Sequence, residues 1–134
     1  RGHSLLEKVV VGSETGKVLR GAHAPVLAVK RDRPFDGGSL KKILVPLDLS
    51  DETESAFMFA LDLAVLTDAH VSAVYALRLD MYAQDIPAGA LDIVIKESYS
   101  EMAKTAAHLS RKYEESRGVK LSKPVATDVV HGIS

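Results

Sequence analysis

The amino-acid sequence predicts an α/β protein with a parallel sheet that has helices on both faces. From Ile43 onward, short apolar runs alternate with longer segments whose apolar residues recur at helical spacing, in the order strand, helix, strand, helix, strand. This alternation predicts right-handed crossovers between parallel strands. The 134 residues are 46% hydrophobic and 26% charged, which suffices for a compact domain with a core.

The chain before Ile43 predicts a helix and a strand, followed by a linker. Residues 14–22 read as a helix, and residues 25–29 form a short apolar run with β-branched members, which favours a strand. Residues 31–42 are first charged and then rich in turn formers, with Pro34 and the Gly37-Gly38 pair. This composition indicates a linker.

The first strand of the alternating region ends at an aspartate. Residues 43–47 are apolar on both faces, as is typical of a strand in the middle of a covered parallel sheet, and Pro46 marks its end. Asp48 follows, and Ser50 is the predicted N-cap of the next helix. Ligands collect at the carboxyl ends of strands in such sheets, so Asp48 is a candidate binding residue. Considered alone, it could equally cap the helix.

The rest of the chain predicts two more strands and a long helix. Residues 71–77 predict a strand, residues 78–89 a loop, and residues 125–130 a third strand. Gly118 predicts the end of the helix that precedes the third strand. An apolar stripe that should pack on the sheet runs along this helix and comprises Ile95, Tyr99, Met102, Ala106, Leu109 and Tyr113.

Composition excludes several classes of function. The net charge of -1 gives no electrostatic reason to expect nucleic acid or an anionic membrane as a partner. The absence of cysteine excludes disulfides, thiolate metal sites and a cysteine nucleophile, and it is compatible with the cytoplasm. The five histidines lack the spacing of metal ligands, so no metal-binding residue is predicted.

Two segments resemble blocks of the universal stress protein family. Residues 43–50, Ile-Leu-Val-Pro-Leu-Asp-Leu-Ser, are similar to that family's opening strand, in which an aspartate contacts the adenine-ribose end of ATP. Gly2, followed after nine residues by Gly12-Ser13, resembles most of the family's glycine signature, whose backbone amides and hydroxyl hold ribose and phosphates. The segment from Glu14 to Val29 resembles the family's last helix and last strand.

The resemblance implies the family's adenine nucleotide alpha hydrolase-like fold and a site for ATP, with or without Mg²⁺. Glycines allow a backbone to approach phosphate closely, and a helix N-terminus favours anions. Ala76 matches a position whose backbone touches adenine in the family, although it could also be plain core. The implied nucleotide-binding residues are Pro46, Leu47, Asp48, Ala76, Gly2, Gly12, Ser13 and Glu14.

The two blocks stand in the reverse of the family's order. A tandem protein would explain this: residues 1–30 would be the C-terminal part of one domain, residues 31–42 a linker, and residues 43–134 the N-terminal part of a second domain. A permuted single domain is the alternative. It explains the order, but not why the sequence has no counterpart of the further helix and fourth strand expected from the family resemblance.

In function, the resemblance implies an ATP-binding stress-response or signalling module in the cytoplasm that acts as a homodimer. The predicted strand at residues 25–30 is the expected dimer contact, because an apolar edge needs covering. A family member that works only through dimer contacts, and a slow ATPase, are the alternatives. Hydrolysis needs a base or a positioned water, and no convincing base is found, so no catalytic residue is predicted.

Overall fold

The structure is a computed structural model that describes residues 13–29, 40–48, 50–78, 87 and 89–132. The chain divides into two units, Arg1–Gly37 and Gly38–Ser134. Each unit has its own secondary structure, and most of the described residues belong to the second.

The described part of the first unit contains one helix, α1 (Ser13–Gly21). Glu14 in its first turn and Arg20 in its last turn suit the helix dipole. The predicted strand at residues 25–29 is wrong for the described residues: the segment follows α1 without forming a strand. A strand is stabilised by a hydrogen-bonded neighbour, and apolar composition alone does not supply one.

The second unit has a parallel sheet of three strands, β1 (Lys42–Pro46), β2 (His70–Arg78) and β3 (Ala126–Gly132). The strand order is β1-β2-β3, so β2 is central and the other two are the edges of the described sheet. The predicted α/β class and parallel sheet are therefore confirmed, and each strand lies within two residues of its predicted bounds. β1 does not occupy the middle of the described sheet, where its apolar sequence had placed it.

Two helices connect these strands and pack on the same face of the sheet. They are α2 (Asp51–Thr67) and α3 (Ala90–Arg117). Within this unit's described residues neither helix covers the opposite face, where Leu44 is 68% exposed and Val130 is 50% exposed. The core between the helices and the sheet consists of Val45, Leu47, Phe57, Ala60, Leu61, Val71, Ala73, Leu77, Met102, Ala106, Leu109, Tyr113 and Val129.

A polar cluster joins α2 to α3 beside this core. The hydroxyl of buried Tyr113 donates to Asp62 Oδ1 at 2.9 Å. Arg117 donates to both oxygens of the same carboxylate at 3.2 Å, and its guanidinium lies 5.8 Å from the centre of the Tyr113 ring. The hydrogen bond from Arg117, followed by that from Tyr113, lowers the pKa of Asp62, whereas burial and Asp62 raise the pKa of Tyr113. The cluster thus holds an ionised carboxylate between the two helices.

Both helices end at a residue with a left-handed backbone. Asp68 ends α2 at φ 56°, and Gly118 ends α3 at φ 65°, as its position in the sequence predicts. Lys123, which precedes β3, lies 3.0 Å from the Asp68 carboxylate and lowers its pKa through a hydrogen bond. This ion pair ties the end of α2 to the loop that leads into β3.

Candidate functional site

The carboxyl end of the sheet contains a notch between β1 and β2. The last paired residues of these strands are Pro46 and Val74, and the Leu47 N–H then donates to the Val74 carbonyl at 2.9 Å. β2 continues to Arg78, and this last stretch pairs only with β3 among the described strands. One side of the end of β2 is therefore left open by the shorter β1.

A hollow of about 310 Å³ occupies this notch. Four of the predicted nucleotide-binding residues line it together: Pro46, Leu47, Asp48 and Ala76. We call it the strand-end hollow, and the described residues that line it are Pro46, Leu47, Asp48, Thr53, Val74, Tyr75 and Ala76.

Sequence reasoning missed three of the lining residues. Val74 is two residues before Ala76, so the alternation of a strand could have placed it on the same face. Thr53 lies in the first turn of α2, directly after the strand end that carries Asp48. No local sequence pattern predicts that Tyr75 lines the hollow, because it does so only where β1 ends before reaching it.

Hydrogen bonds from Ser50 favour the ionised form of the Asp48 carboxyl group at the strand-end hollow. Its backbone N–H donates to Asp48 Oδ1 at 2.9 Å, and its hydroxyl donates to the same oxygen. The Thr53 hydroxyl in turn donates to the Ser50 carbonyl at 2.8 Å. The Ser50 hydroxyl is the largest cause that lowers the pKa of Asp48, and the Ser50 N–H is the second. Asp48 is therefore an anion at neutral pH, with its carboxylate turned towards the start of α2.

Ser50 occupies the N-cap position of α2, as predicted, but without the expected side-chain bond. Its backbone is extended, at φ -94° and ψ 162°, as an N-cap requires. Its side chain makes no hydrogen bond to a helix N–H and bonds to Asp48 instead. The Ser50 side chain thus stabilises the Asp48 carboxylate at the strand-end hollow and not the first turn of α2.

The remaining predicted site residues belong to the first unit. Ser13 and Glu14 begin α1, where both are exposed, and Glu14 lies 3.5 Å from the Lys17 ammonium group. Gly2 and Gly12 lie outside the described residues. The structure therefore brings together the residues predicted near Asp48 and describes only part of the glycine block.

The sequence model of the universal stress protein family matches residues 39–131, more than half of the chain. The chain belongs to this family. The match includes the strand-end hollow and leaves out Gly2, Gly12, Ser13 and Glu14.

Two solved structures of family members are similar to this chain. The universal stress protein UspA from Lactobacillus plantarum is 26% identical with a TM-score of 0.44, and the match covers 70% of this chain and 62% of that protein. A universal stress protein family member from Burkholderia pseudomallei is 25% identical with a TM-score of 0.47, covering 69% and 64%. The chain thus spans less than two thirds of either protein. No curated protein matches it.

Two further properties concern the described residues alone. None of their helices combines the length and the apolar character needed to cross a membrane. None of their His, Asp and Glu side chains forms a group of three that could hold a metal ion.

Proposed function

We propose that this chain binds an adenine nucleotide in the strand-end hollow and acts as a stress-response or signalling module of the universal stress protein family. The observation that carries the proposal is the convergence of Pro46, Leu47, Asp48 and Ala76 on one hollow at the carboxyl ends of two parallel strands. Open α/β sheets bind ligands at this end.

The size of the strand-end hollow supports binding of the base and ribose rather than of a whole triphosphate. At about 310 Å³ it lies at the lower limit for small-molecule sites. Pro46, Val74 and Tyr75 offer apolar surface for a flat ring. The ionised Asp48 carboxylate can accept hydrogen bonds from ribose hydroxyls or from the adenine amine.

The negative charge of Asp48 sets the orientation that we propose for the nucleotide in the strand-end hollow. Phosphates are repelled by the Asp48 carboxylate, so in our proposal they point away from it. In the first unit, Gly2, Gly12 and Ser13 remain candidates for phosphate contacts through their resemblance to the family's glycine signature. Glu14 is itself an anion, so it would approach phosphates only with Mg²⁺ between them.

Calorimetric titration with Mg²⁺ and ATP tests the proposal. Asp48→Ala removes charge-assisted hydrogen bonds, and we expect roughly 10- to 150-fold weaker binding. Asp51→Ala is the matched control: it removes an exposed aspartate three residues away that does not line the hollow, and affinity should stay within about threefold. Ser13→Ala tests the phosphate contact separately, since it should weaken ATP more than adenosine. Equal affinity in wild type and Asp48→Ala would refute the role of the strand-end hollow.

The proposal favours binding over hydrolysis. Asp48 is the only carboxylate among the described residues that line the hollow, and its lowered pKa makes it a weak base. We also propose a cytoplasmic homodimer that uses residues 25–30, because Val26, Leu27 and Val29 are 39%, 72% and 51% exposed. Sedimentation of the chain at several concentrations would show whether it dimerises.

A further inference from the structure

The outer edge of β3 is occupied by side chains where a neighbouring strand would bind. On its inner side β3 pairs with β2, and no other described strand pairs with it. The Val129 N–H donates to Asp128 Oδ1 at 2.9 Å, and the Val129 carbonyl accepts from the Tyr99 hydroxyl at 3.1 Å. The same hydroxyl lies 3.3 Å from Asp128 Oδ1. We call Tyr99, Asp128 and Val129 the edge clasp.

The two side chains of the edge clasp reach the backbone from opposite faces of the sheet. Val129 is 3% exposed and belongs to the core under the helices, so Asp128, its neighbour along the strand, is on the other face. Tyr99 comes from α3, on the helix-covered face. Since β2 fills the inner side of β3, the two side chains meet around the open edge.

The position of Val129 makes this arrangement effective against a new strand. In a parallel strand, the N–H and C=O of alternate residues point to the same edge. Thr127, Val129 and His131 therefore share the outer edge of β3, and Val129 is the middle one. With both its backbone groups engaged, a partner strand cannot form a continuous ladder along this edge.

From these contacts we infer that the edge clasp closes the free edge of β3 to strand addition by a second copy of this chain. Unpaired edge strands are general templates for such association, and proteins protect them with charged side chains or covering groups. The inference is independent of nucleotide binding. It directs any self-association of the chain to a surface other than this edge.

Sedimentation velocity on the full chain tests the inference with the variant Tyr99→Phe/Asp128→Ala. This variant frees both backbone groups of Val129 while keeping the aromatic ring. We expect new concentration-dependent species above the wild-type mass. Each hydrogen bond gained by a partner strand is worth roughly 2- to 12-fold in the association constant. The Val129 amide should also exchange with deuterium faster in the variant than in the wild type.

Asp128→Asn separates hydrogen bonding from charge. Its amide oxygen still accepts from the Val129 N–H, so this variant should sediment as the wild type does. If it associated as strongly as the double variant, charge repulsion would be the protecting factor and the edge clasp would be refuted. An unchanged mass for a double variant with native circular dichroism would also refute it. If the double variant unfolds, Tyr99→Phe alone provides the test, because it frees the Val129 carbonyl. New associated species would then support the inference, and an unchanged mass would refute it.

Discussion

Replacement of Tyr113 by phenylalanine should measure how strongly the polar cluster holds α2 against α3. The substitution keeps the buried ring and removes only the hydroxyl, which donates to Asp62 Oδ1 at 2.9 Å. The ion pair between Asp62 and Arg117 remains in the variant. The change in the free energy of unfolding therefore reports on one hydrogen bond across the helix pair.

The expected magnitude follows from the exposure of the acceptor. A hydrogen bond to a charged group contributes about 1.5–3 kcal/mol, and a neutral one about 0.5–1.5 kcal/mol. Tyr113 is 2% exposed, but the Asp62 side chain is 37% exposed, so water competes for the carboxylate. We expect a loss of about 1.5 kcal/mol, which lowers the urea midpoint by about 0.8 M if the denaturant slope is about 2 kcal/mol per M.

Urea unfolding followed by circular dichroism at pH 7 would measure this loss. Tyr75→Phe is the control, because the Tyr75 hydroxyl has no hydrogen bond to another described residue and its removal should change little. The pKa of Asp62 is lowered in the folded chain, first by Arg117, so its bonds stabilise the fold above its ordinary pKa. That contribution is lost as the pH falls through the lowered value. A Tyr113→Phe loss near zero at pH 7, or one equally large in strong acid, would contradict the reasoning.

Two further predictions concern the strand-end hollow and the core. Ser50→Ala should raise the pKa of Asp48 towards its ordinary range, because the hydrogen bond from the Ser50 hydroxyl is the largest cause that lowers this pKa. Carbon NMR of the Asp48 carboxylate as a function of pH would measure the change. Ser116→Ala, at the far end of α3, is the control. Phe57→Ala should destabilise the fold by about 3–5 kcal/mol in urea unfolding, since Phe57 is 0% exposed, whereas Phe59→Ala, 44% exposed on the same helix, should cost about 1 kcal/mol or less.

The alternation of apolar runs predicted the elements of the second unit because each strand and helix buries one continuous surface. The strands at residues 43–47, 71–77 and 125–130 were each found within two residues of the predicted bounds. Their parallel direction followed from the helices between them, since a parallel connection needs a long crossover. The apolar run at residues 25–29 has the same composition without a paired neighbour, and composition does not reveal that difference.

The stripe on α3 shows where helical spacing stops being informative. Met102, Ala106, Leu109 and Tyr113 are buried as predicted, whereas Tyr99 is 42% exposed although it has the same spacing. Periodicity gives the direction of a side chain around the helix axis, but not what lies below it. At Tyr99 the neighbour is the margin of β3, so the ring covers an edge and its hydroxyl finds the Val129 backbone.

Asp48 and Asp128 show why an aspartate near a strand cannot be assigned a role from sequence alone. Each turns a carboxylate oxygen back to a nearby backbone N–H, that of Ser50 in one case and that of Val129 in the other, both at 2.9 Å. The difference lies in what stands beside the carboxylate. β1 stops short of the end of β2, which leaves a hollow next to Asp48. β3, in contrast, continues through Asp128, and Tyr99 covers the outer edge of β3 at this residue. In our two proposals, the same local chemistry thus prepares a ligand site where a neighbouring strand ends, and protects an edge where the strand itself continues.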